Sequence, residues 1–398
     1  MNFTKVTDFL ESLHKIGVPG ADLGIYLKGK EVYRHQTGFS NLKSRTPVTA
    51  DTLFPIYSMT KVITCVAALR LYEKGLFTLT DAVCDYMPEF KDMKIRYVRD
   101  NGVEYIEPAK GPIRIVDLFT MSSGLTYNRT GQLLKMGEKT GGNFTLKELT
   151  SALSKDPLYF EPGEHWHYGF SHDVLGCLIE VISGKPLGEY FYDNIFAPLG
   201  MNETFFRLPE NMEQRFAICY TYDENSKKHT VTNPDLLPVR FDLDYKFECA
   251  GGGLISTVDD YAKFANAICA VCTDGYGNGT SGSVGGGIGD SARDYRILSK
   301  ATVELMRTNH LDERRIHDFN NLGWYEGYGY GLGVRTLIDK AANGSNSSIG
   351  EFGWAGLAGT FALIDPALDL TYVYTQQLFP SKEDYIAPRL RNIIYGCL

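Results

Sequence analysis

Phe54-Pro55-Ile56-Tyr57-Ser58-Met59-Thr60-Lys61-Val62-Ile63-Thr64-Cys65-Val66-Ala67-Ala68-Leu69 is the stretch on which the fold turns. A serine stands where a helix starts, and a lysine follows three residues later. A helical turn takes about 3.6 residues, so Lys61 lies on the face of Ser58. Residues 62–71 are mostly apolar, which predicts a buried helix, and a buried lysine needs a reason. Burial weakens a lysine's hold on its proton. Lys61 is therefore expected to take a proton from the neighbouring hydroxyl and leave Ser58 an activated nucleophile. The same letters also fit an N-cap serine with a first-turn surface lysine, so the pair needs partners elsewhere in the chain.

Working outward, residues 4–15 carry Val6, Phe9, Leu10 and Leu13 at helical spacing, stopped by Gly17 and Pro19-Gly20. Residues 21–26 and 32–38 read as a hairpin turned at Lys28-Gly29-Lys30. On the far side of the serine, a second small hairpin is expected in 94–111 around Asp100-Asn101-Gly102. Short helices follow at 115–121 and 146–154, then an amphipathic one at 171–182 with Val174, Leu175, Leu178, Ile179 and Ile182 on one side. Further helices are expected at 187–196, 258–272 and 299–309. From 328 on, β-prone runs return at 328–337, 350–354, 359–364 and 369–377, and a last helix covers 383–395. The expected fold is α/β of the α+β type: an antiparallel sheet built from both chain ends, residues 1–75 and 295–398, flanked by helices. A mostly helical domain, 76–294, is inserted, with a Gly-rich loop at 273–294.

Composition narrows the function. The 398 residues are 43% hydrophobic and 22% charged with a net charge of −8, ordinary for a globular chain and the wrong sign for nucleic acid. No apolar run is long enough to span a membrane, and Met1 to Val6 starts no signal peptide, so a cytoplasmic location is expected. Eight cysteines then read as buried thiols. Cys269-Ala270-Val271-Cys272 lacks a second pair, and His165-Trp166-His167 lacks a third ligand, so neither is read as a metal site. No cofactor is expected.

Two further stretches carry chemistry. Tyr168, in Trp166-His167-Tyr168-Gly169-Phe170-Ser171, lies on a loop before the strong helix. A phenol near an ammonium ionises more easily and can act as base, then acid. Phe352-Gly353-Trp354-Ala355-Gly356-Leu357-Ala358-Gly359-Thr360 joins two expected strands. Its small residues allow close backbone approach, where an edge N–H could meet an oxyanion.

In this order and spacing the three stretches resemble the serine β-lactamase and penicillin-binding-protein superfamily. Ser58-Met59-Thr60-Lys61 matches its S-x-x-K motif. Tyr168-Gly169-Phe170 resembles the tyrosine motif of class C β-lactamases, and Trp354-Ala355-Gly356 the sheet-edge motif. Residues 118–125, Pro198-Leu199-Gly200-Met201 and Ala250-Gly251-Gly252-Gly253-Leu254 also look familial. Phe170 replaces an asparagine and Trp354 a lysine that serve β-lactams, a pattern similar to the class-C-like, family VIII carboxylesterases.

The resemblance implies a β-lactamase-like fold and acyl transfer through an acyl-enzyme on Ser58. Lys61 and Tyr168 would share the base work. The oxyanion would lie against the backbone N–H groups of Ser58 and Leu357, just after Gly356, and Trp354 would wall a pocket for apolar ester groups. The expected partner is a small ester or amide, with no nucleic acid and no membrane. β-Lactam or D-Ala-D-Ala peptide hydrolysis, or acyl transfer to another alcohol or amine, are the alternatives on the same scaffold. The oligomeric state is not legible.

Overall fold

Lys28 and Gly29 both hold positive φ, 54° and 68°, the two-residue turn that matches the twist of paired strands. They join Gly20–Leu27 to Lys30–Asn41, and this hairpin seeds the sheet. The computed structural model describes residues 1–128, 130–273 and 295–398. The expected Gly-rich loop lies outside the described residues from 274 on.

Gly20–Leu27 pairs on its other side with Leu370–Gln376, Leu23 opposite Tyr374. The full eight-stranded order is Tyr328–Tyr330, Arg335–Leu337, Phe352–Ala355, Phe361–Asp365, Leu370–Gln376, Gly20–Leu27, Lys30–Asn41, Thr46–Pro47. Every neighbouring pair is antiparallel. Successive side chains on a strand face opposite sides, and here both sides are apolar. Phe361, Leu363, Tyr372 and Tyr374 meet Leu10, Leu390 and Ile394 from the terminal helices Thr4–Ser12 and Glu383–Tyr395. Ala362, Ile364 and Val373 face the larger core with Val66 and Phe264, from the helices Thr60–Glu73 and Val258–Cys272. Thr60–Glu73 is sheathed in protein from Thr60 to Leu69, which is why it is apolar all round rather than amphipathic.

Some expectations need correction. The run 328–337 is two strands, because Gly333 at φ 88° turns the chain back and its α-carbon packs against Cys65. The helix expected at 187–196 is α-helical only over Leu187–Phe191, then widens to a π-turn over Tyr192–Phe196. Pro198 has no N–H for the Asn194 carbonyl, which accepts from the Tyr295 hydroxyl instead at 2.6 Å. The helices Gly131–Thr140 and Glu313–Asn320 were not expected. Both are polar and cover the core edge with few apolar residues. Among the described residues no helix is long and apolar enough to cross a membrane.

Candidate active site

The Ser58 turn is held from several sides. Phe54–Pro55 pairs with Ile255–Ser256. The Ile56 N–H donates to the Leu254 carbonyl at 2.9 Å. The Thr360 hydroxyl donates to the Ile56 carbonyl at 3.2 Å, and the Gln377 amide to that of Pro55 at 2.9 Å. Between these clamps Tyr57 sits in the left-handed region at φ 42°, a conformation that costs a bulky residue about 1–3 kcal/mol. Its ring is buried edge-on to Phe241. The bend delivers Ser58 to the start of Thr60–Glu73, where the helix dipole favours developing negative charge.

Lys61 is wholly buried. Its ammonium donates to Ser58 Oγ at 3.3 Å, to Tyr127 Oη at 3.0 Å and to the Gly251 carbonyl. Three hydrogens thus meet three acceptors, the arrangement of a charged lysine. Burial alone pulls the proton affinity down, but the Tyr127 and Tyr168 phenols and the Asp173 carboxylate outweigh it, and Lys61 holds its proton above the ordinary lysine range. This corrects the expectation of a lysine with weakened proton affinity: burial came with compensating partners.

Asp173 was not singled out from sequence. It lies in the first turn of Ser171–Ser183, fully buried. Its Oδ1 accepts from the Gly251 N–H at 3.0 Å and from the Cys249 thiol at 3.3 Å. One residue therefore links its carboxylate to Lys61: the Gly251 N–H donates to Asp173 and the Gly251 carbonyl accepts from Lys61.

Tyr127 was missed as well. Its ring borders the pocket while its hydroxyl turns in to Lys61. Tyr168 presents its ring, not its hydroxyl, to the same ammonium, 4.6 Å from the centroid. The Tyr168 hydroxyl accepts from Trp354 Nε1 at 3.0 Å. The two tyrosine loops touch because residue 169 is glycine; a β-carbon there would stand 2.1 Å from the Leu125 carbonyl oxygen. Phe170 packs edge-on to Tyr127, centroids 4.8 Å apart. Gly356 allows the sheet edge to meet the serine turn, since a β-carbon would stand 2.4 Å from the Ile56 carbonyl oxygen. Leu357, the next residue, borders the same cavities as Ser58.

From residue 6 to residue 395 the chain matches the model of one family, Beta-lactamase. The chain belongs to the β-lactamase family. Protein Rv1367c of Mycobacterium tuberculosis is 31% identical over 376 residues, covering 91% of this chain and 86% of that one. Esterase EstB of Burkholderia gladioli is 27% identical over 409 residues, covering 98% and 93%. The solved structure of EstCE1, described as a hydrolase with promiscuous acyltransferase activity, superposes with a TM-score of 0.77 at 21% identity, covering 99% of this chain and 98% of that one. The protein is thus a serine hydrolase of the β-lactamase fold.

In this family member two cavities meet at Ser58. One, about 440 Å³, is lined by Tyr57, Tyr127, Leu133, Phe144, Phe170 and Phe247 among others, with Asp235 the one charged lining residue among the described residues. The other, about 490 Å³, opens past Trp354, Trp324 and Tyr325 toward Glu383 and Asp384. Ser58, Tyr168 and Leu357 border both. His172, behind Lys61, takes no part: its Nε2 lies 3.1 Å from the Phe119 carbonyl, and burial, with the Lys61 charge, lowers its pKa to about 3. His165 is held by Asp318 at 2.9 Å.

Proposed function

We propose that the protein hydrolyses carboxylic esters of small apolar acids through an acyl-enzyme on Ser58. The observation that carries this reading is the Lys61 ammonium hydrogen-bonded to Ser58 at the floor of an apolar cavity. The esterase relative EstB, matched along 98% of the chain, supports it.

Lys61 and Tyr127 share protons directly, and Tyr168 joins this cluster as its hydroxyl turns from Trp354 toward the Lys61 ammonium. An ammonium beside a phenolate and an amine beside a phenol have the same proton count, so the reactive form is the cluster less one proton. Ser58 Oγ attacks the ester carbonyl and its proton enters the cluster. The oxyanion gathers against the backbone N–H groups of Ser58 and Leu357; removal of one such donor typically costs about 100- to 1000-fold in rate. As the C–O bond breaks, Tyr168 returns the proton to the departing alcohol. Water then attacks the acyl-enzyme by the same route reversed. The Tyr168 hydroxyl is held by Trp354, which lines the second cavity and not the first. The alcohol therefore leaves through the second cavity, and the acyl chain occupies the first.

Ser58→Ala is expected to abolish p-nitrophenyl butyrate turnover and labelling by an activated phosphonate. Near-wild-type turnover by that variant overturns the mechanism. Among the described residues neither cavity is lined by lysine, arginine or histidine, which disfavours a lactam carboxylate there. Nitrocefin turnover is expected to fall far below that of the ester, and the reverse order would favour a lactamase.

A further inference from the structure

The second cavity has a chemical character that the apolar one lacks. Its walls include the rings of Trp324, Tyr325 and Trp354, and among the described residues Glu383 and Asp384 are the charged ones that line it. Trp354 and Tyr325 lie nearly parallel, 9° between planes and 5.8 Å between centroids. Glu383 is fixed in place: its Oε1 accepts from Trp324 Nε1 at 3.1 Å and from the Tyr325 hydroxyl at 3.0 Å. Both acids stand in the first turn of Glu383–Tyr395, where the helix dipole favours their negative charge.

Two cations stand near the acids. The Lys382 ammonium is paired with Glu224. Arg335 does not line the cavity. It is buried, with its guanidinium 5.6 Å from the Trp324 centroid and 5.3 Å from that of Tyr328, and Glu351 supplies an opposing buried carboxylate. Burial pushes the Glu383 pKa up on balance, Arg335 and the two hydrogen-bond donors offsetting it only in part, so that the exposed Asp384 is the firmer negative charge. Electron-rich ring faces backed by carboxylates attract a positive charge and repel a negative one.

We infer that this cavity is a subsite for a cationic alcohol: the ester's leaving group carries a quaternary or protonated ammonium, seated against Trp324, Tyr325 and Trp354 and facing Glu383 and Asp384. The assignment of the alcohol to this side rests on the proposed ester chemistry; the affinity of the cavity for a cation does not.

The test therefore has a binding arm and a turnover arm. Tetramethylammonium, titrated into Ser58→Ala protein, is expected to change tryptophan fluorescence saturably, because Trp324 and Trp354 are two of the three tryptophans. tert-Butanol, its neutral counterpart, is expected to bind at least about tenfold more weakly. Glu383→Gln and Asp384→Asn should each weaken the ammonium ion selectively. Asp384 is exposed, so its variant stays informative if Glu383→Gln misfolds. In turnover, butyrylcholine is expected to exceed 3,3-dimethylbutyl butyrate in kcat/KM by about tenfold, with the ratio falling toward one in either variant. Equal binding of tert-butanol and tetramethylammonium, or preference for the neutral ester, overturns the cationic subsite. Saturable ammonium binding without turnover of any ester, p-nitrophenyl butyrate included, leaves the subsite standing and removes the esterase reading instead.

Discussion

Each hydrogen of the Lys61 ammonium has its own acceptor, and one of those acceptors is a phenol. Removal of the phenol leaves a buried N–H without a partner, at a cost of about 1–3 kcal/mol. Tyr127→Phe is therefore expected to lower kcat/KM by about 5- to 150-fold. The pH profile carries the sharper signature. Tyr127 helps hold Lys61 above its ordinary range, so the wild-type kcat/KM should keep rising with pH above neutrality as the cluster loses a proton. In Tyr127→Phe burial regains weight against the remaining partners, and the rising limb should move to lower pH. An unmoved limb in stopped-flow or steady-state profiles would place Tyr127 outside the proton-sharing cluster. Ser58 and Lys61 were legible in sequence because helix spacing alone puts them together. Tyr127 was not, since the reading of 118–125 stopped two residues short of it. Tyr168 was legible as a residue, but its hydroxyl is directed by Trp354, 186 positions away, which no local pattern reveals.

At the scale of elements, the site depends on backbones brought unusually close. Gly356 lets the end of Phe352–Ala355 rest on the serine turn. Gly356→Ala must move the strand end or the turn, because its β-carbon would stand 2.3 Å from Thr360 Oγ1 and 2.4 Å from the Ile56 carbonyl oxygen. The expected result is a fall in kcat of about 100-fold as the Leu357 N–H leaves the oxyanion, with KM little changed. Gly111→Ala, where nothing lies within 4 Å, is the control, and equal kinetics for the two would refute the close-approach account. Strong punctuation made the elements legible: Lys28-Gly29 announced its hairpin, and residues 383–395 their helix. Gly331-Leu332-Gly333 was read through as strand, since its turn is enforced by packing against Cys65 rather than by a familiar turn pair. Glu313–Asn320 buries only Phe319, too little periodicity to show in the letters.

At the scale of the whole molecule, the buried His172 makes stability pH-dependent. Burial, with the nearby Lys61 charge, lowers its pKa to about 3 from an ordinary 6.5. Below pH 6.5 the unfolded chain binds a proton there that the folded chain refuses. The stability is thus fully present above pH 6.5 and is lost as the pH falls toward 3, by about 1.4 kcal/mol per unit. Urea unfolding from pH 7 to 4 should show a slope that His172→Gln flattens by that amount. An unchanged slope would mean that His172 accepts its proton in place. The sheet has a consequence of another kind. Gly20–Leu27 is translated some 350 residues ahead of its partner Leu370–Gln376. Ser58 is synthesised long before Trp354, Gly356 and Leu357 exist to surround it. The nascent chain therefore carries an unpaired strand edge until Leu370–Gln376 has been made, a long-range pairing of the kind that slows folding, and its chemistry waits on the same late stretch.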